Sequence, residues 1–104
     1  MPRIVIACYR PKPGHEAALR AEVQTHVPTL QALGLATART PMTMRASDGT
    51  VIEIFEWASA EAIARAHHDA TVAAIWQRFA AVCEPTQLGS LAEATQLFPD
   101  FEPL

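Results

Sequence analysis

Charge is scarce in this sequence, and cysteine, aromatic residues and long apolar runs are scarce with it. Only 18% of the residues are charged, eight Lys and Arg against eleven Asp and Glu, and no basic block stands out among them. That excludes the electrostatic footprint of a nucleic-acid binder. An apolar run such as Ile4 to Cys8 falls far short of the roughly 20 residues of a membrane helix, and no signal-peptide pattern follows Arg3. A soluble cytoplasmic protein with no membrane partner is therefore expected. Cys8 and Cys83 lie in separate apolar segments without CxxC spacing, so each reads first as a small buried hydrophobe. The other reading of Cys8 is a reactive thiol activated by Tyr9 and Arg10. No Gly-rich phosphate loop, nucleophile elbow or HExxH is present, so no cofactor is implied.

What is present is apolar material. Half of the 104 residues are hydrophobic, which suits one core and a single domain over residues 1–104. With so little charge to cover it, the exterior of such a small domain must itself be partly apolar, and an oligomer is favoured.

Residues 3 to 9 (RIVIACY) form a β-branched run stopped by Pro11-Lys12-Pro13-Gly14, the pattern of a central strand. From Glu16, the residues Leu19, Val23, Val27 and Leu30 recur at helical spacing, and Gly34 ends the helix. Pro28 inside it predicts a kink or break near His26 and Val27. Ala36 to Arg45 and Val51 to Trp57 read as a hairpin about the turn Ser47-Asp48-Gly49-Thr50, with Pro41 at an edge or bulge. Ser59 caps a helix to about His68, and Asp69 caps another carrying Val72, Ile75, Trp76, Phe79 and Val82. Pro85 to Leu91 reads as a last strand, a short helix from Ser90 follows, and residues 91–104 form an apolar docking tail. The order β-α-β-β-α-β predicts an α+β, ferredoxin-like domain: a four-stranded antiparallel sheet with helices on one face. The other face then needs a cover, and a second copy related by a two-fold axis supplies one.

The opening strand followed by YRPKPGHE (Tyr9 to Glu16), the stretch HVPTLQALGL (His26 to Leu35), and VIEIFEWASAEAI (Val51 to Ile63) with HHDATVAAIW (His67 to Trp76) resemble the dimeric α+β barrel superfamily. Within it they resemble the antibiotic biosynthesis monooxygenase-like branch, over most of residues 3 to 90. The resemblance implies a homodimer and a cofactor-independent oxidation of a small, flat, quinol-like aromatic held between sheet and helices. Haem-degrading members of the superfamily use an Asn, a Trp and a His. The matching places here fall near Ala7, Ala66 and Trp76, so that triad is absent.

Three residues are candidates for proton transfer. His26 borders the apolar stripe of the first helix, and its imidazole suits a general base, although such a His is also a common hydrogen-bonded core residue. His67 lies four residues after Ile63 and is expected to face inward, whereas His68 faces solvent. The adjacent pair lacks metal-chelating spacing, so no metal site is expected. Glu53 shares a strand face with Val51, Phe55 and Trp57, and an acid there must find a partner. Arg39, Arg45 or Arg3 would make an ion pair; a substrate proton would make it a base. Tyr9, Phe55, Trp57, Trp76 and Phe79 are candidate walls of an aromatic pocket, or else core. The alternative to an enzyme is a non-catalytic dimer that binds a small hydrophobic ligand, or a stress-related protein with a filled core.

Overall fold

A computed structural model describes all residues, 1–104. The elements run β1 (Arg3–Pro11), α1 (Glu16–Ala32), β2 (Met42–Arg45), β3 (Val51–Trp57), α2 (Ala60–Ala66), α3 (Ala70–Val82), β4 (Cys83–Thr86) and β5 (Glu102–Pro103). Short 3-10 turns at Leu88–Ser90 and Ala92–Thr95 lead into the tail. All strand pairs are antiparallel, in the order β4-β1-β3-β2-β5.

The sheet therefore has five strands, one more than the sequence pattern predicts. The fifth comes from the tail, where Glu102 and Pro103 pair with Arg45 and Met44 of β2. Two residues, one of them proline, carry no alternation to read; only the pairing makes them a strand. β4 begins at Cys83, directly off the end of α3, rather than at Pro85. The backbone N–H of Cys83 still closes the last helical turn on Phe79 O, and Lys12 N already bonds Val82 O, so the chain passes from helix to ladder without a loop.

Both outer strands carry a proline whose missing N–H faces the open edge. Lys12 donates to Val82 O, so the hydrogen-bonded pairs of β1 and β4 fall at Arg10–Glu84 and Cys8–Thr86, and Pro85 lies between them, opposite Tyr9. Leu104 likewise donates to Thr43 O, which puts Pro103 at a non-hydrogen-bonded position opposite Met44.

The predicted stripe of α1 is buried, and of the stripe predicted for α3 Val72, Ile75 and Phe79 are buried while Trp76 and Val82 are half-buried. Leu19, Val23, Val27 and Leu30 of α1 and Val72, Ile75 and Phe79 of α3 pack on the sheet face formed by Val51, Phe55 and Trp57. Pro28 does not break α1, which continues to Ala32. Proline removes the bond to Gln24 O, but the buried stripe on either side holds the helix together. Gly34 at φ +72° ends it: Leu35 N bonds Leu30 O and Gly34 N bonds Gln31 O, the two reversed bonds of a Schellman cap, and Leu30 and Leu35 pack in one cluster. Ser59 Oγ caps α2 by accepting from Ala62 N, and Asp69 Oδ1 caps α3 by accepting from Val72 N.

The opposite sheet face is half covered by the chain's own tail. Leu91 is fully buried against Cys8, Ala46 and Ile52, and Phe101 packs beside it. Glu93 fastens the segment by accepting from Ser47 N at 2.7 Å. The other half of the face stays open, with Ile4, Ile6 and Met42 exposed, and Leu97 and Phe98 of the tail are exposed as well.

Candidate functional site

Strand alternation points Glu53 inward between Val51 and Phe55, beneath the helices. The stripe of α1 brings His26 over the same point, one turn from Val23 and one from Leu30. Tyr9, at the far end of β1, reaches it from the side. The three side chains meet at one atom: Tyr9 Oη donates to Glu53 Oε1 at 2.9 Å, and His26 Nδ1 lies 2.8 Å from that same oxygen. Glu53 is fully buried and His26 is 4% exposed.

None of the predicted arginine partners reaches Glu53, which corrects the sequence expectation: Arg3 forms no ion pair, and the other two are engaged elsewhere. Arg39 pairs with Glu56 on the opposite face, and Arg45 pairs with Glu102 of β5. The partner is instead the imidazole of α1. An Oε1 that accepts from Tyr9 accepts equally from an Nδ1–H, and that arrangement leaves Nε2 as the free ring nitrogen of His26. Neither His26 Nε2 nor Glu53 Oε2 has a hydrogen-bond partner, although both are buried. Aromatic edges surround the imidazole, Phe79 at 5.0 Å and Phe55 at 5.5 Å between ring centroids. Burial first, and then the neighbouring Glu53, push the Tyr9 phenol far above its ordinary range, so it stays a neutral donor.

Beside this triad lies an apolar cavity of about 170 Å³, walled by Tyr9, Trp76, Phe79, Ala80, Cys83 and Pro85. Three of the five predicted aromatic walls, Tyr9, Trp76 and Phe79, line it. Phe55 and Trp57 do not: they are buried together in the core beneath α1 and α2, with ring centroids 5.1 Å apart. Cys83 turns its thiol to Phe79 O at 3.1 Å, and burial raises its pKa, so it is a poor nucleophile. Cys8 is likewise raised by burial, and the activation proposed for it by Tyr9 and Arg10 does not arise.

His67 departs from its expected inward position. α2 ends at Ala66, so the helical spacing from Ile63 stops short of His67, which caps the helix as an exposed residue. Its ring meets the edge of Trp76 at 5.1 Å and does not join Glu53 and His26. His68 is exposed too. No group of three or more His, Cys, Asp or Glu side chains has the arrangement of a metal site.

Sequence reasoning singled out His26 and Glu53 separately but did not join them. The signal was available: the inward face of β3 and the stripe of α1 each carry one polar residue among apolar neighbours, and two such residues in facing layers are natural partners.

No protein-family model matches the chain, and no curated protein matches it. Among solved structures it is similar to Rv0793 from Mycobacterium tuberculosis, with a TM-score of 0.65 and 21% identity over 91% of this chain and 100% of that one. At that identity the likeness shows a shared α+β fold. No helix of the chain is long and apolar enough to cross a membrane.

Proposed function

We propose that the chain is a cofactor-independent, oxygen-using enzyme of the antibiotic biosynthesis monooxygenase kind, with His26 as general base, Glu53 as its orienting group and a small phenol or quinol-like aromatic as substrate. The observation that carries this reading is His26 Nε2, a buried nitrogen without a partner on a ring whose other nitrogen is fixed by Glu53. Leaving such a group unpaired costs about 1–3 kcal/mol. A substrate hydroxyl arriving at Nε2 offsets that cost and meets an oriented base.

In the reaction, Nε2 takes the hydroxyl proton of the phenol. The resulting anion carries its electron density onto a ring carbon, which bonds to O₂, and the imidazolium returns its proton to the outer oxygen. Loss of the proton on that ring carbon, with O–O cleavage, leaves a carbonyl and releases water. One phenol and one O₂ enter; one quinone and one water leave. The substrate anion supplies the electrons, so the protein need only hold, orient and transfer a proton.

The strand order β4-β1-β3-β2 with all helices on one face supports a ferredoxin-like unit extended by β5. The bare patch of Ile4, Ile6 and Met42 supports a homodimer that meets through this face. One observation favours a non-catalytic ligand-binding role instead: His26 is not a cavity wall, and the ring of Phe79 stands between it and the cavity.

Oxygen uptake by the purified protein with phenols and hydroquinones, beside His26→Ala and Glu53→Gln, tests the proposal. Uptake by the wild type should fall on the order of a hundredfold or more in His26→Ala. A folded His26→Ala protein that consumes oxygen at the wild-type rate removes His26 from the reaction. Ligands that raise the melting temperature without any uptake point to the binding role.

A further inference from the structure

The cavity and the triad share Tyr9, and Phe79 stands between the cavity and His26. Phe79 lines the cavity, its ring lies 4.9 Å from Tyr9 on one side and 5.0 Å from His26 on the other, and His26 itself is not part of the cavity wall. The hydroxyl of Tyr9 is turned away into Glu53, so the walls consist of aromatic rings, a methyl, a thiol already bonded to Phe79 O and a proline. Such a space holds no partner for a charged or strongly polar substituent. Its volume of about 170 Å³ is close to that of an apolar cavity of roughly 150 Å³ that takes up benzene. It holds one aromatic ring within its walls, and a second or third fused ring would have to project past the exposed Ala80 and Pro85 at its mouth.

We infer that Phe79 is the specificity-determining partition of the site: the cavity admits a single neutral aromatic ring, and a shift of the Phe79 ring lets that ring's hydroxyl reach His26 Nε2. The substrate class is then a one-ring phenol or hydroquinone. This rests on the acid–base reading of His26 for the second half of the statement, while the limit on ring number is a property of the cavity alone. Phe79 stands on α3, one turn before the helix runs directly into β4, so its backbone is held from both sides and movement falls to the side chain. A phenylalanine needs only two side-chain torsions to turn, and the bound ring has to be accommodated against its new position.

Phenol, 1-naphthol and anthrone serve as probes of one, two and three rings. Binding is read by calorimetry on the full chain, and oxygen uptake is followed on the same samples. Wild type should bind phenol at least tenfold more tightly than 1-naphthol and should not bind anthrone measurably. Phe79→Leu, which keeps an apolar side chain in the core, should bring 1-naphthol within about threefold of phenol; Phe79→Ala should do so more strongly if it folds. Equal binding of all three probes by wild type, an unchanged ranking in Phe79→Leu, or no binding of phenol each overturns the inference. Binding with the expected ranking but no oxygen uptake sinks the enzymatic reading and leaves the ring limit standing. Uptake of oxygen with anthrone but not phenol does the reverse.

Discussion

Ala7 of β1 stands directly opposite Glu53 of β3 in the antiparallel ladder. It is the smallest of the five β1 residues that alternation places on the helix-facing side, Arg3, Val5, Ala7, Tyr9 and Pro11. Side chains in such a pair have Cβ atoms about 4.5–5.5 Å apart, so whatever occupies position 7 competes for the space around the Glu53 carboxyl group. A methyl group there lets Tyr9 from the same strand and His26 from α1 converge on one oxygen.

Ala7→Leu should therefore cost about 1–3 kcal/mol by overpacking beside Glu53. It should also separate His26 from Glu53, seen as a changed His26 imidazole signal in NMR. A variant as stable as wild type with an unchanged imidazole signal means that the space around Glu53 is not limiting.

Stability should fall at high pH. The folded state holds the Tyr9 phenol above its ordinary value, as it does the thiols of Cys8 and Cys83, so the folded chain keeps protons that the unfolded chain releases. The stabilisation is fully present below the unfolded values, about 8.5 for cysteine and about 10 for tyrosine, and is lost as pH rises past them. Each such proton contributes a slope of up to about 1.4 kcal/mol per pH unit. Denaturant unfolding of wild type and Tyr9→Phe between pH 9 and 11 should show a shallower fall in the variant. Equal slopes would mean that Tyr9 ionises as readily in the fold as out of it.

The attachment of the tail should weaken in acid. The backbone N–H of Ser47 holds the Glu93 carboxyl below its usual range, and the N–H of Thr50 does the same for Asp48 in the adjoining turn. Both folded values are depressed, so their stabilisation is present above the ordinary carboxylate range and is lost as pH falls through the folded values. Melting temperatures measured from pH 7 down to pH 3 should drop less steeply in Glu93→Gln than in wild type. Parallel curves would show that Glu93 does not couple the tail to the turn.

If two copies meet through the open sheet face, Ile6→Glu should shift the chain from dimer to monomer in light scattering while its circular dichroism stays unchanged. Ile6 is 47% exposed, so the new carboxylate meets water in a lone chain and apolar surface in a dimer. A wild-type chain that is already monomeric at high concentration removes the dimer from the proposal.

Much of this architecture was readable along the chain, because its causes are local. Ser59 and Asp69 act as caps, the stripe of α1 and most of that of α3 are buried, and the turn at Ser47 to Thr50 is closed by Gly49 at φ +91°. The features that escaped depend on what stands across the fold. That Glu53 meets His26 rather than an arginine follows from the seating of α1 over β3, which no spacing within either element encodes. His67 was misplaced because the inward register of α2 was carried past its last helical residue. Phe55 and Trp57 have the same strand pattern whether they wall a pocket or fill a core; the helices above them decide. β5 is a strand only by virtue of its neighbour.

The prolines of the two outer strands bear on how copies of this chain can associate. A sheet that grows sideways needs donors along its edge, and here each margin has a gap where Pro85 or Pro103 stands. Strand-by-strand addition, the route to open-ended fibrils, meets an obstacle at both sides of the molecule. The apolar surface left for contact lies on a face, where a self-complementary two-fold pairing uses itself up once made. The molecule's margins thus favour an assembly of fixed number over one that extends without limit.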